Sequence, residues 1–251
     1  MTPSPIGKVL STLKKHRVRA LLMGGQACIL YGAAEFSRDV DVAVLAGAEN
    51  LARLRRGLAE LRAEPVFFPP LGDDVLRRGH ACPFRVHVRG AEDLRLDVMS
   101  VLHGCDPFDQ LWQRRWRITL PGVGRVNVVS LPDLVRAKKT QRDKHWSMLR
   151  RLVEADFHSR SRRPPRAQIE FWLREARTPA LLLELCRRYH GTARRLGGLR
   201  PTVGFALRGD VAQVEQALQA EEEACRAADR AYWQPLRAEL QRWRQNRKRS
   251  K

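Results

Sequence analysis

The chain has 251 residues, of which 43% are hydrophobic, and its 47 Lys and Arg against 27 Asp and Glu give a formal net charge of +20. This length suits one large domain or two small ones, and the sequence contains no apolar run long enough to predict a membrane span. The N-terminus lacks the apolar core of a secretory signal, and five scattered cysteines without a Cys-x-x-Cys pair indicate a reducing compartment, so we expect a cytoplasmic protein without a zinc site.

Helical and strand patterns alternate through the first quarter of the sequence. Apolar residues at helical spacing predict helices, and short runs rich in valine and leucine predict strands. In chain order we predict a helix over 6–16, a strand over 19–23, a helix over 26–34, a strand over 40–45 and a helix over 50–62. Residues 66–74 are predicted to form a loop anchored by Phe67 or Phe68, with stacking of either ring on a base as the alternative.

A predicted hairpin follows this loop. Its strands cover residues 84–88 and 94–99, and the sequence Gly90-Ala-Glu-Asp93 between them has the composition of a turn. A helix over 106–114 and strands over 116–120 and 126–129 come next. We therefore predict a first domain over residues 1–130 in which helices and strands are mixed.

The second half of the sequence is predicted to be mainly helical. Ser130-Leu-Pro-Asp133 resembles a capping box, from which we predict one long helix that ends near Phe157. The remaining prediction is a basic linker over 158–166, helices over 167–175 and 178–189, a glycine-rich connection over 191–204 and a final helix over 210–243. Residues 131–251 thus form a predicted basic C-terminal region that packs on the first domain.

Two aspartates alternate with valines at the strand predicted over 40–45. Alternate strand residues point to opposite faces, so Asp39 and Asp41 share one face while the valines share the other. Two neighbouring carboxylates repel each other unless a positive charge lies between them, and a divalent cation is the usual one. Gly24 and Gly25 follow the preceding strand at a strand-to-helix turn, which suits a phosphate bound by backbone N–H groups. The combination indicates nucleotide chemistry, although Asp-x-Asp alone is also typical of solvated strands.

This order of a glycine pair, a short helix and an Asp-x-Asp strand resembles the nucleotidyltransferase superfamily, which includes DNA polymerase β. The sequence Gly24-Gly25-Gln26-Ala27, followed by Tyr31-Gly32, is most similar to the small bacterial branch of AbiEii-type and MenT-type toxins. The similarity extends through residues 131–144 and covers roughly residues 18–155. It implies an α+β fold in which a mixed β-sheet is flanked by helices and followed by a helical C-terminal region.

The resemblance also implies roles for individual residues. Asp39, Asp41 and a third carboxylate would be catalytic and would bind the metal; Asp97 is the candidate for the third, with Asp93 as its rival. The implied metal is Mg²⁺ or Mn²⁺, since oxygen ligands favour hard cations. The implied nucleotide-binding residues are Gly24, Gly25, Ser37, Lys138, Lys139 and Arg142. For the last three, an ordinary solvated basic face is the alternative.

The reaction implied by the resemblance moves a nucleoside monophosphate from a nucleoside triphosphate (NTP) to a hydroxyl, with release of pyrophosphate. We expect the acceptor to be a structured RNA such as tRNA, because residues 131–251 contain 28 Lys and Arg against 14 Asp and Glu. The similarity to the toxin branch also implies a toxin or defence role with a cognate antitoxin as partner.

Two alternatives stay open. The chain is either a catalytically inactive nucleotide- or RNA-binding module with the same fold, or an enzyme that nucleotidylates a protein. Two departures from the family pattern support the inactive module. Glu35-Phe36-Ser37 stands where relatives often have Arg-x-Thr, and Lys144-His-Trp-Ser stands where they often continue Lys-Asp-x-x-Asp.

Overall fold

The structure is a computed structural model that describes residues 4–34, 36–66, 69–160 and 162–249. The predictions made for Glu35, Phe67 and Phe68 lie outside the described residues. The chain forms two compact units, of which the first contains residues 4–30, 36–137 and 232–249, and the second contains Tyr31–Ala34 and Lys138–Ala231. The continuous part of the first unit ends at Ala137, and the end of the last helix also belongs to this unit.

The first unit is built around a mixed β-sheet. Within the described residues its strands are β1 (Ala20–Met23), β2 (Asp39–Val44), β3 (Glu64–Pro65), β4 (Cys82–Arg85), β5 (Arg95–Met99), β6 (Trp116–Leu120) and β7 (Gly124–Val128), in the spatial order β3-β4-β5-β2-β1-β7-β6. β1 runs antiparallel to β2 and parallel to β7, while β2 runs parallel to β5. The hairpins β4–β5 and β6–β7 are antiparallel, as the sequence predicts for the former.

Alternating burial places the core on one face of the central strand β2. Val40, Val42 and Val44 are at most 1% exposed, whereas Asp39 is exposed and Asp41 is half-buried. This is the period of two that the sequence predicts, and the valines anchor the strand through burial of apolar area. The carboxylates are left on the opposite face of the same strand.

Short helices complete the first unit. They are α1 (Pro5–Lys15), α2 (Gly24–Leu30), α3 (Ala48–Glu60), α4 (Asp73–Arg77), α5 (Phe108–Gln113) and α6 (Leu131–Ala137). Ser4 caps α1 by accepting a hydrogen bond from the Gly7 N–H at 3.1 Å. The prediction of a loop as far as residue 74 is wrong at its end, because α4 already begins at Asp73. The α+β architecture predicted from the sequence is confirmed.

The second unit is helical within its described residues. It contains α7 (Asp143–Arg160), α8 (Arg166–Glu175), α9 (Pro179–Arg188), α10 (His190–Gly197) and α11 (Pro201–Leu207), and most of α12 (Val211–Arg249). The glycine-rich connection predicted over 191–204 is therefore wrong. Gly197 and Gly204 lie where α10 and α11 pack against each other, and a Cβ added to Gly197 would lie at an ordinary van der Waals distance of 3.7 Å from the Cα of Gly204. Pro201 starts the second of these helices.

The prediction of one long helix from residue 130 to 157 is also wrong. The helix stops at Ala137 and a new one starts at Asp143. Thr140 holds the break: its hydroxyl oxygen accepts the N–H of Arg142 at 3.2 Å, and its carbonyl accepts the Trp146 indole N–H at 2.7 Å. The Thr140 hydroxyl also lies 2.7 Å from Nδ1 of His145. Burial, and then the nearby Lys138, Arg142 and Lys144, lower the pKa of His145 to about 3.

An ion-pair cluster around the half-buried Glu221 stabilises the second unit. Arg200 donates from Nε to Oε1 at 2.9 Å and from Nη2 to Oε2 at 2.8 Å, and Thr202 and Arg177 also bind this carboxylate. Burial raises the pKa of Glu221, but the hydrogen bonds and charges of these partners outweigh it and bring the pKa to about 2. Glu221 therefore binds these three side chains, although it begins the acidic run Glu221-Glu222-Glu223.

None of the described helices is both long and apolar enough to cross a membrane.

Candidate functional site

The acidic residues predicted from the sequence meet on neighbouring strands. In the parallel pair β2–β5, Asp41 is in register with Asp97 and Asp39 is in register with Arg95. Residues in register on adjacent strands point to the same face, so Asp97 lies beside Asp41 on the face opposite the valine core. Its rival Asp93 lies in the hairpin turn with φ of +58°, and its carbonyl accepts a hydrogen bond from Arg85 at 2.7 Å. Asp93 therefore serves the turn, and Asp97 is the carboxylate that the register places next to Asp41.

The glycine pair lies tightly against this site. Gly24 directly follows β1, whose last residue Met23 is in register with Asp41, and it has φ of +66°. A Cβ added to Gly24 would lie 1.8 Å from Oδ2 of Asp41, and one added to Gly25 would lie 2.3 Å from Oγ of Ser37. Only glycine fits at these two positions without a shift of the neighbouring side chain. The backbone of this turn therefore packs directly against the side chains of Asp41 and Ser37.

Gln26 fixes the segment that leads into β2, a role that sequence analysis missed. This buried side chain donates from Nε2 to the carbonyl of Ser37 at 2.9 Å and lies 3.4 Å from the carbonyl of Asp39. The Ser37 hydroxyl lies 3.4 Å from the same Asp39 carbonyl. A buried side-chain amide almost always has hydrogen-bond partners. A glutamine on the buried side of a short helix could therefore have predicted a hydrogen bond to a neighbouring segment.

Arg95 is the second residue of the site that sequence analysis missed. Its Nε lies 2.9 Å from Oδ1 and 3.1 Å from Oδ2 of Asp97, where the side chains of Arg95 and Asp97 are 40% and 16% exposed. The hydrogen bond to Asp97, followed by the charges of Asp97, Asp39 and Asp41, raises the pKa of the Arg95 guanidinium. Arg95 is two residues before Asp97 on the same strand, so the period of two already placed both side chains on one face.

The donor atoms of the site match the chemistry of a hard divalent cation. Asp39, Asp41 and Asp97 supply only carboxylate oxygens, which suit Mg²⁺ or Mn²⁺. Their arrangement as it stands is different: among the described residues, no group of three or more His, Cys, Asp or Glu side chains is placed to hold a metal ion. The carboxylate of Asp97 instead contacts the guanidinium of Arg95.

No family model matches the chain, and no curated protein matches it significantly. The solved structures that resemble it include two described as candidate nucleotidyltransferases. A candidate nucleotidyltransferase of Thermotoga maritima has 17% identity and a TM-score of 0.37, over 61% of this chain and 86% of that one. A candidate nucleotidyltransferase of H. pylori has 11% identity and a TM-score of 0.38, over 89% of this chain and 92% of that one. At such scores the likeness carries no argument about activity, which depends on the residues of this chain.

The three basic residues predicted to bind the nucleotide belong to the second unit. Lys138, Lys139 and Arg142 lie in the connection between α6 and α7 and not on the continuous helix face that was predicted for them. Lys139 forms an ion pair of 2.7 Å with Glu175, and Lys138 is only 8% exposed. Arg142 is exposed and closes the turn at Thr140 through its backbone N–H. A solvated basic face therefore describes Arg142 but not the two lysines.

Proposed function

We propose that the chain is a nucleotidyltransferase that moves a nucleoside monophosphate from an NTP to a hydroxyl acceptor. One observation carries the proposal: Asp41 and Asp97 are in register on adjacent parallel strands, and the backbone of Gly24 packs directly against the side chain of Asp41. An ordinary solvated strand face does not need a glycine at such a distance from a carboxylate. The motif resemblance found in the sequence agrees with this geometry.

In the proposed reaction the acceptor oxygen forms a bond to the α-phosphorus while the bond from that phosphorus to the bridging oxygen breaks. Pyrophosphate leaves with the bridging oxygen, and the proton of the acceptor hydroxyl passes to Asp97. Gly24 and Gly25 leave their backbone open to the triphosphate, and Ser37 donates a hydrogen bond to a phosphate oxygen. Asp39 and Asp41 are the proposed ligands of Mg²⁺ or Mn²⁺ together with Asp97. When bound, the ion would neutralise the triphosphate and polarise the α-phosphorus.

The proposed acceptor is RNA. The formal charge of +20 favours a polyanion and disfavours a cationic acceptor, and most of this excess belongs to residues 131–251. Protein nucleotidylation is the variant that label transfer to a protein fraction would reveal. A toxin or defence role with an antitoxin partner in the cytoplasm extends this proposal; expression of the chain, but not of its Asp41→Asn variant, should then arrest growth.

A second candidate function is a binding module without turnover. The contact of Arg95 with Asp97 favours it, because a guanidinium already neutralises a carboxylate that catalysis needs free. Binding of RNA requires only the basic surface, whereas transfer requires the three carboxylates. The two functions therefore differ in their response to a single carboxylate substitution.

Label transfer tests the proposal. Purified protein is incubated with each α-³²P NTP, Mg²⁺ and either total RNA or cell protein, and Asp41→Asn and Asp97→Asn are compared with Asp93→Asn. The last variant removes the same charge four residues from Asp97, and asparagine tolerates the left-handed backbone at that turn. We expect label on RNA with the native chain and Asp93→Asn only. Absence of label with salt-sensitive RNA binding intact would establish the binding module instead.

A further inference from the structure

Arg95 occupies an unusual place in the candidate site. In the parallel register of β2 and β5 it is opposite Asp39, and it precedes Asp97 by two residues on the same strand. Its guanidinium therefore lies on the face that carries Asp39, Asp41 and Asp97. Its Nε is 2.9 Å and 3.1 Å from the two carboxylate oxygens of Asp97.

The contact uses the atoms that a cation would need. A carboxylate that binds a hard divalent ion does so through one or both oxygens, and both oxygens of Asp97 are within 3.1 Å of Arg95 Nε. The guanidinium stays charged at every accessible pH, so deprotonation of Arg95 does not end the contact. The site consequently contains its own monovalent cation.

We propose that Arg95 is a resident cation that competes with the divalent metal for Asp97, so that metal loading requires Arg95 to leave. The inference rests on the proposed function only in taking the three carboxylates as the metal site. The side chain of Arg95 is 40% exposed, which leaves it room to swing toward solvent. Once released it is a free guanidinium at the edge of the site, suited to a phosphate oxygen of the incoming triphosphate.

Arg95 thereby acts through Asp97 as a positioning residue, and its presence lowers the affinity of the site for a divalent metal ion. Each metal ion that binds must overcome the attraction between Arg95 and Asp97 and the repulsion between the guanidinium and the ion. Removal of one charge about 6 Å away changes the affinity for a divalent ion by about tenfold when the effective dielectric is close to that of water, which suits a side chain that is 40% exposed. Metal affinity should therefore rise when the guanidinium is removed, although arginine is not a metal ligand.

Mn²⁺ binding followed by electron paramagnetic resonance measures this effect without any turnover. The test variant is Arg95→Gln, and the matched control is Arg85→Gln. Arg85 is in register with Arg95 on the neighbouring strand β4, but its guanidinium donates to the carbonyl of Asp93 and not to a site carboxylate. Both variants lose one positive charge from the same region of the sheet. Circular dichroism confirms that each is folded, and Arg95→Lys replaces Arg95→Gln if the latter does not fold.

We expect the apparent Kd for Mn²⁺ to fall about tenfold in Arg95→Gln and less than twofold in Arg85→Gln. With Arg95→Lys, which keeps the charge but loses the planar fork, the expected tightening is smaller and still exceeds that of the control. Equal affinity in the native chain and both Arg95 variants would overturn the proposal and leave nucleotidyl transfer intact. Equal tightening by both glutamine variants would also overturn it, because net charge alone would then explain the effect. Mn²⁺ binding by neither native chain nor variant would overturn the proposal together with the metal-dependent function.

Nuclear magnetic resonance reports the displacement directly. In protein labelled with ¹⁵N-arginine, the Nε–Hε signal of Arg95 is assigned as the one missing from Arg95→Lys. Titration with Mg²⁺ should move this signal from the position of a carboxylate-bound group to that of a free one. An unchanged signal, while Mg²⁺ binds in a manner abolished by Asp41→Asn, would show that metal and Arg95 coexist and would overturn the competition.

Discussion

Gly24→Ala is the sharpest test of the site geometry. The new Cβ would lie 1.8 Å from Oδ2 of Asp41, whereas real Cβ atoms essentially never come within 3.0 Å of a heavy atom outside their own and the adjacent residues. The carboxylate must therefore retreat by about 1.2 Å or more. A misplacement of about 1 Å in a reacting group can lower the rate about 100-fold. We expect a loss of transfer activity of at least this size.

The same substitution also strains the backbone, and a control separates the two effects. Gly24 has φ of +66°, where an L-residue costs about 1–2 kcal/mol. Gly122 has φ of +74° in the β6–β7 turn of the same unit, and a Cβ there would meet nothing within 4 Å. Gly122→Ala should therefore lose about the same unfolding free energy as Gly24→Ala in urea titrations, while keeping native activity and Mn²⁺ affinity.

The outcome that would refute this reasoning is equal activity of the two alanine variants. It would mean that Asp41 tolerates displacement and is not a reacting or ligating group. A Gly24→Ala protein with much lower stability than Gly122→Ala would show that the clash is relieved by the backbone and not by the Asp41 side chain. Measurement of Mn²⁺ affinity beside the urea titrations distinguishes these cases.

Three further predictions concern hydrogen bonds and titration. Glu221→Gln should destabilise the second unit by about 2 kcal/mol at pH 7; since the pKa of Glu221 is lowered to about 2, the difference from the native chain should shrink as the pH falls from about 4.5 toward 2 in urea titrations. His145, with a pKa of about 3, stays neutral in the folded chain while the unfolded chain takes up its proton near pH 6.5; stability should fall as pH drops between these values, and His145→Gln should flatten the melting temperature over this range. Gln26→Leu removes the donor to the Ser37 carbonyl at 2.9 Å; a loss of about 1–3 kcal/mol is expected in thermal melts, and full stability would show that the carbonyl finds another partner.

The sequence was most informative where its period matched a simple element. The alternation of Asp39 and Asp41 with valines predicted β2 and its two faces, and the turn at Gly90–Asp93 predicted the β4–β5 hairpin. The third carboxylate followed from the resemblance, and the parallel register places it next to Asp41. Arg95 could have been predicted from the same alternation, because it is two residues from Asp97.

What the sequence did not predict depends on contacts between elements. The stop between α6 and α7 is made by Thr140, whose hydroxyl and carbonyl bind Arg142 and Trp146. A helical pattern that continues through the break gives no sign of this. In residues 191–204 the glycines suggested a connection without helices, whereas Gly197 and Gly204 lie in α10 and α11 at the contact between these helices. A glycine has the same appearance in a sequence whether it lies in a loop or in a helix.

The register of β5 decides both the core and the site. Leu96 and Val98 are fully buried on the core face, and their alternation leaves Arg95 and Asp97 on the opposite face beside β2. A slip of one residue would place Leu96 beside Asp41 and bury a carboxylate and a guanidinium, which is prohibitively unfavourable. The apolar residues of β5 thus hold Asp97 and Arg95 in place together. A shift of the strand would move Asp97 and Arg95 together, so their contact can be broken only by rotation of one of the two side chains.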